Sequence, residues 1–164
     1  MTDFKFFYFA EYEDGKLAHL ETYDSKIPVN IYAEPNSDFS LKENECCSVD
    51  IIGVCSEIKY YENEEEFVKA DTVFDVVSMI PIGTFPLDED ENFEESPYII
   101  FTGKIIAVDT DPTADSDEPN YFVTLETLEM TVTLLFNSDE NISVGGILHG
   151  VAWLYGDILR KTGN

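Results

Sequence analysis

Apolar residues along the chain fall into short runs with the two-residue alternation of half-buried strands, not the spacing of amphipathic helices. The first run, Phe4-Lys5-Phe6-Phe7-Tyr8-Phe9, is aromatic and strand-like, and Glu13-Asp14-Gly15-Lys16 contains an Asp-Gly turn that tolerates positive φ. Together they predict a β-hairpin over about residues 4–23. A short strand at 27–32 follows, where Pro28 requires an edge or a first position because it has no N–H to donate. A polar loop spans 34–44. Between Cys46 and Tyr61, the density of Val49, Ile51, Val54, Ile58 and Tyr60 predicts one long strand, bent or bulged near Gly53.

Asn63 followed by Glu66 is a helix start, with Glu64 and Glu65 where the helix dipole favours acid, and predicts a short helix to about Ala70. Residues 73–80 form an apolar run that leads into an irregular connection at 81–86, rich in Pro and Gly. An acidic loop at 88–95 comes next. Four further strands are predicted at 98–108, 121–127, 130–136 and 147–155. Leu128-Glu129, which joins the middle pair, lacks the Asn-Gly or Asp-Gly chemistry that sets a hairpin register. Gly145-Gly146 opens the last strand, and Gly150 and Ala152 within it suit tight curvature. Many short strands, one short helix and strong curvature predict a mainly β protein with a closed or half-closed barrel. No internal repeat is expected.

A chain of 164 residues fits one domain, able to bury roughly 70% of its unfolded surface. The expectation is a barrel at 45–159 on which the hairpin and extension of 1–44 pack. Charge complicates this picture. Formal net charge is −25, and between Ala70 and Leu159 one basic residue, Lys104, stands against eighteen carboxylates, a local net of −17. A composition 44% hydrophobic and 13% aromatic is too apolar for a disordered acidic polymer, so the chain should fold against its own repulsion. Such a field repels nucleic acid and anionic membranes and attracts cations or basic proteins. Lys104, beside Gly103, is expected to form a structural ion pair with neighbouring carboxylates.

Three cysteines, Cys46, Cys47 and Cys55, are too few and too crowded for a disulfide framework, and reduced thiols are expected. No basic leader with a long apolar stretch precedes Glu11, Glu13 and Asp14, and no apolar run reaches the eighteen or so residues of a membrane span. The expectation is a soluble cytoplasmic protein.

The runs Ile80-Pro81-Ile82-Gly83-Thr84-Phe85, Phe101-Thr102-Gly103-Lys104-Ile105, Val123-Thr124-Leu125-Glu126-Thr127, Val144-Gly145-Gly146-Ile147 and Gly150-Val151-Ala152-Trp153-Leu154 are each short and structural. In them the chain resembles, over about residues 50–158, a group of small acidic bacterial proteins of unknown function with an OB-like barrel. The resemblance implies a five-stranded, antiparallel OB-like barrel and carries no catalytic residue. OB barrels often bind oligonucleotides through stacking aromatics in a basic groove. Tyr60, Tyr61, Tyr98, Tyr121, Phe122 and Tyr155 could stack, but Lys59, Lys104, Arg160 and Lys161 are too few to neutralise a phosphate backbone.

Candidate chemistry is sparse. Residues 109–118 offer oxygen ligands at alternate positions, yet Ala114 and Asn120 stand where a calcium loop needs glycine and a bidentate glutamate. A solvated acidic loop is the plain reading, weak divalent binding the other. The cysteines lack metal spacing and read as buried and apolar, with Cys47 and Cys55 on one strand face. His149 could act as a general base, although no nucleophile motif or phosphate loop accompanies it. No catalytic, metal or cofactor site is expected, and the protein reads as a non-enzyme. Two functions are left. One is a soluble module that binds a protein, peptide or small ligand. The other is an acidic inhibitor or immunity-type protein that mimics nucleic acid and caps a basic partner. Its candidate interaction residues are Asp88, Glu89, Asp90 and Glu91 in one loop and Asp109, Asp111, Asp115, Asp117 and Glu118 in the other.

Overall fold

In the computed structural model, which describes residues 1–70, 77–82 and 95–161, the expected hairpin is β1 (Thr2–Tyr12) and β2 (Gly15–Glu21). Next come β3 (Pro28–Ala33), β4 (Cys46–Val49), β5 (Ile51–Tyr61), the helix α1 (Glu64–Lys69) and β6 (Ser78–Pro81). The chain continues as β7 (Tyr98–Thr110), β8 (Tyr121–Thr127), β9 (Met130–Phe136), β10 (Ile147–Gly156) and β11 (Ile158–Arg160). Pro28 takes the first position of its strand, opposite Glu21. Asn63 caps α1 by accepting from the Glu66 N–H at 2.9 Å. The strand predicted over 46–61 breaks at Asp50, not at Gly53, because its partners change there. β4 pairs β1 and β11, whereas β5 lies between β10 and β9.

The described chain divides into two compact units. The first draws on Met1–Ile51, Pro81–Tyr98 and Leu154–Asn164, the second on Ile52–Ile80 and Ile99–Trp153. In the second unit β10, β5, β9, β8 and β7 are hydrogen-bonded in that order and β7 pairs back to β10, closing a five-stranded barrel. This agrees with the expected barrel and is consistent with an OB-like arrangement. Its core holds Phe101, Ile105, Val123, Leu125, Leu134 and Ile147, and Phe67 of α1 packs edge-on against Tyr61 at 5.1 Å. In the first unit β4, β1, β2 and β3 lie side by side over Phe4, Phe6, Leu17, Leu20 and Ile31. The end of β10 pairs β3 in parallel, Tyr155 with Tyr32 and Gly156 with Ala33, and β11 pairs β4. The segment read as a hairpin and extension is thus the larger part of a unit with its own core.

The two units repeat one another, contrary to the expectation that no repeat exists. In β1 and β2 the paired residues are Lys5 with Glu21, Phe6 with Leu20 and Phe9 with Ala18, with a shift between Phe6 and Tyr8. In β7 and β8 they are Lys104 with Glu126, Ile105 with Leu125 and Val108 with Val123, with the shift between Ile105 and Ala107. The third strand keeps step, Leu20 with Val29 against Leu125 with Val132, and Leu17 with Tyr32 against Phe122 with Leu135. Even the loop entering the long strand is reproduced. Asn44 N–H donates to Phe6 O at 2.8 Å and Phe6 N–H to Glu45 O at 2.9 Å, while Gly145 N–H donates to Ile105 O and Ile105 N–H to Gly146 O, both at 2.9 Å. Asn44 and Gly145 share positive φ, 73° and 93°, the conformation that Gly and Asn tolerate best. Leu-Glu-Thr, at 20–22 and 125–127, is the longest run spelled alike at matched positions, too little to show as a repeat in the letters.

Candidate functional site

The two copies differ most between their first and second strands. The β1–β2 turn is Glu13-Asp14; its counterpart, between β7 and β8, is the ten-residue loop 111–120. Side-chain amides hold this loop in shape. Asn137 Nδ2 donates to the carbonyls of Glu118 at 2.7 Å and Asp115 at 3.4 Å. Asn120 donates to Ser138 O at 2.8 Å and accepts from Ser138 N–H at 2.9 Å. Of the five acids singled out here, Asp115, Asp117 and Glu118 come together, with carboxylate oxygens within 4.8 Å of one another, all exposed. Asp109 and Asp111 do not join them. Asp111 turns back on Thr113, whose hydroxyl and N–H bonds hold its carboxyl below the usual range. Asp88, Glu89, Asp90 and Glu91 lie outside the described residues.

Under the loop lies a cleft of about 440 Å³, within the range of ligand-binding pockets. Its walls are Val54–Ile58 of β5, Leu135 and Phe136 of β9, and Ser116–Pro119 of the loop. Val54 is nearly half exposed. Glu57, Asp117 and Glu118 give the cleft an acidic margin, and among the described residues no basic one lines it. Cys55 lines it too, but burial pushes its thiol up to about 12, so at neutral pH the sulfur is protonated and a poor nucleophile. No family model, curated protein or solved structure matches this chain.

Other candidates occupy structural roles. His149 Nδ1 lies 2.7 Å from Thr102 Oγ1, and burial keeps the ring below its ordinary pKa. His19 stacks on Tyr8 at 4.3 Å and its Nε2 meets Glu95 at 3.2 Å. Burial, reinforced by Cys46 and Asp3, holds the Cys47 thiol at about 12. It lies on β4 and Cys55 on β5, so the break at Asp50 removes the shared face expected of a regular strand. The four cations weighed for a nucleic-acid groove are each engaged. Lys104 forms the expected ion pair, 2.7 Å from Glu64, and Lys161 pairs with Asp3. Arg160 meets Asp38 and Glu45, and Lys59 lies over the Tyr61 ring. Among the stacking candidates, Tyr121 packs on Phe136 and donates to Glu140 O at 2.7 Å. No described helix is long and apolar enough to cross a membrane.

Sequence reasoning missed the cleft itself. Val54, Ile58 and Leu135 read as ordinary strand residues, and only the repeat would have flagged Leu135, which stands where the first copy has Tyr32.

Proposed function

We propose that this chain is a non-enzymatic binding module that recognises a partner protein through the cleft of its second unit. The observation that carries the reading is the open, apolar-walled space under a loop held by Asn120 and Asn137. Preorganised walls lower the ordering cost of binding, and an exposed Val54 has more to gain from a partner than from water. The cleft's own thiol, Cys55, is protonated, and the rings of His149 and His19 are each engaged with a neighbour in their own unit, which suits recognition better than catalysis.

Affinity capture with the tagged chain at low and high salt tests this, run beside Val54→Arg, a surface change that leaves the core alone. A partner that is lost with Val54→Arg supports the cleft, whatever its sensitivity to salt. A partner that elutes with salt and ignores Val54→Arg transfers recognition to the acidic field, as an acidic inhibitor would require.

A further inference from the structure

Because the two units repeat, the first displays what fills the space that the second leaves open. There, residues 34–38 lie along the chain leaving β10. Glu34 N–H donates to Gly156 O at 2.9 Å, Asp38 N–H to Ile158 O at 2.8 Å, and Ile158 N–H to Ser37 Oγ at 2.8 Å. The Tyr32 side chain reaches the β1–β2 turn, its hydroxyl donating to Asp14 Oδ1 at 3.3 Å. Counting from the matched residues Asn44 and Gly145, the counterparts of Gly156 and Ile158 are Cys55 and Glu57, and the counterpart of Tyr32 is Leu135. All three line the cleft. A leucine is too short to span where a tyrosine reaches, and the long loop 111–120 replaces the tight turn that the tyrosine would meet.

We infer that the cleft takes an extended, basic peptide segment of the partner protein, laid along β5 as residues 34–38 are laid along 156–158. This rests on the cleft being the recognition surface. The internal copy argues for a peptide over a small amine, since what occupies the matching place is polypeptide bonded through its main chain. Charge supplies the sign. In the first unit the covering segment carries Asp38, which meets Arg160 at 3.5 Å. In the second the margin is Glu57, Asp117 and Glu118, with Asp115 beside them, so the guest must bring lysine or arginine. Lys59, at the place of Arg160, is turned over Tyr61 and does not line the cleft. Apolar residues alternating with the basic ones would face Val54, Ile58 and Leu135.

The test uses the full chain and a capped, fluorescein-labelled Lys-Val-Lys-Val-Lys-Val peptide, with anisotropy for affinity and backbone amide NMR shifts for location. Comparison probes are Glu-Val-Glu-Val-Glu-Val, Lys-Val-Lys-Pro-Lys-Val, spermine and calcium. The expected result is binding of the first peptide that shifts the amides of Val54, Cys55 and Leu135, weakened at least about tenfold by the acidic sequence or by the proline. Leu135→Tyr, which restores the residue of the closed copy, should weaken it by a similar factor without lowering Tm. Asp117→Asn with Glu118→Gln should flatten its salt dependence. Equal binding of spermine, of calcium or of the proline peptide at those amides overturns the extended-peptide assignment, as does indifference to Leu135→Tyr. If the acidic peptide moves the cleft amides and the basic one does not, the ligand class fails while the cleft stands. If none of the probes moves them at millimolar concentration, both fail.

Discussion

At the connection of its first two strands the first unit has Glu13 and Asp14; at the same point the second has residues 111–120. At the third strand the first unit has Tyr32, whose hydroxyl reaches Asp14, and the second has Leu135 on the wall of a cleft. Strand registers, the bulge in the first strand and the positive-φ residue before the long strand are alike in both. The difference teaches that a conserved ladder geometry leaves function to what connects and covers it: one copy is sealed by its own residues 34–38, the other is left open beneath a pinned loop.

The comparison breaks most severely at Gly150, which stands at the place of Val49. A Cβ there would lie 2.1 Å from the Glu57 carbonyl oxygen, so backbone has to move. Gly150→Val should therefore cost about 3 kcal/mol or more, read as a drop in urea midpoint, and should raise amide exchange in the barrel of the second unit first. An unchanged midpoint would show that the β5–β10 approach is slack.

Asn137→Ala ranks next. Losing its donation to Glu118 and Asp115 should cost about 1 kcal/mol and speed amide exchange at 115–118, with the first unit unaffected. Protection at 115–118 equal to that of the native chain would mean that Asn120 alone holds the loop.

Alkaline pH sharpens the comparison differently, because each unit holds one thiol that burial raises to about 12, Cys47 in the first and Cys55 in the second. An unfolded thiol titrates near about 8.5, so the folded state favours the protonated form. That contribution to stability is complete below about pH 8.5 and is lost as pH rises towards 12. Cys47→Ala and Cys55→Ala should each reduce this alkaline loss in urea titrations. A pH profile identical in both variants to that of the native chain would refute the assignment.

The smallest effect is expected at Lys104, paired with Glu64 on the surface and matched in the first unit by Lys5. Lys104→Met should lower Tm slightly at low salt, with the difference gone at about 0.5 M salt. Salt itself should raise the native Tm by screening a net charge of −25. A large loss that persists at high salt would mean that the lysine stem, not its charge, supports the barrel.

Much of the architecture was legible because its causes are local. Alternation marked the strands, Asn63 and Glu66 marked the helix start, and Pro28 required an edge or a first position, of which it takes the first position. The site was barely legible. Asp115, Asp117 and Glu118 stand out as acid in a loop, but nothing local separates them from Asp109 and Asp111, which the fold sends elsewhere. The repeat is nearly silent in the letters for a related reason: a register is satisfied by any residue of suitable burial, so Phe6 and Ile105, or Ile31 and Leu134, serve alike.

By itself, then, the amino-acid order determined that the chain is mainly β, where most strands begin and end, that one short helix follows Asn63, and that the molecule carries a strong negative field. Those properties follow from neighbours along the chain and from composition. Tertiary structure alone decided that residues 1–51 build a unit of their own with the chain's end, that the long strand changes partners at Asp50, and that Cys55, Leu135 and Glu118 line one cleft. Each of these depends on which distant strands pair, and pairing is chosen by the burial and closure of a whole barrel, a sum that no local stretch of sequence contains.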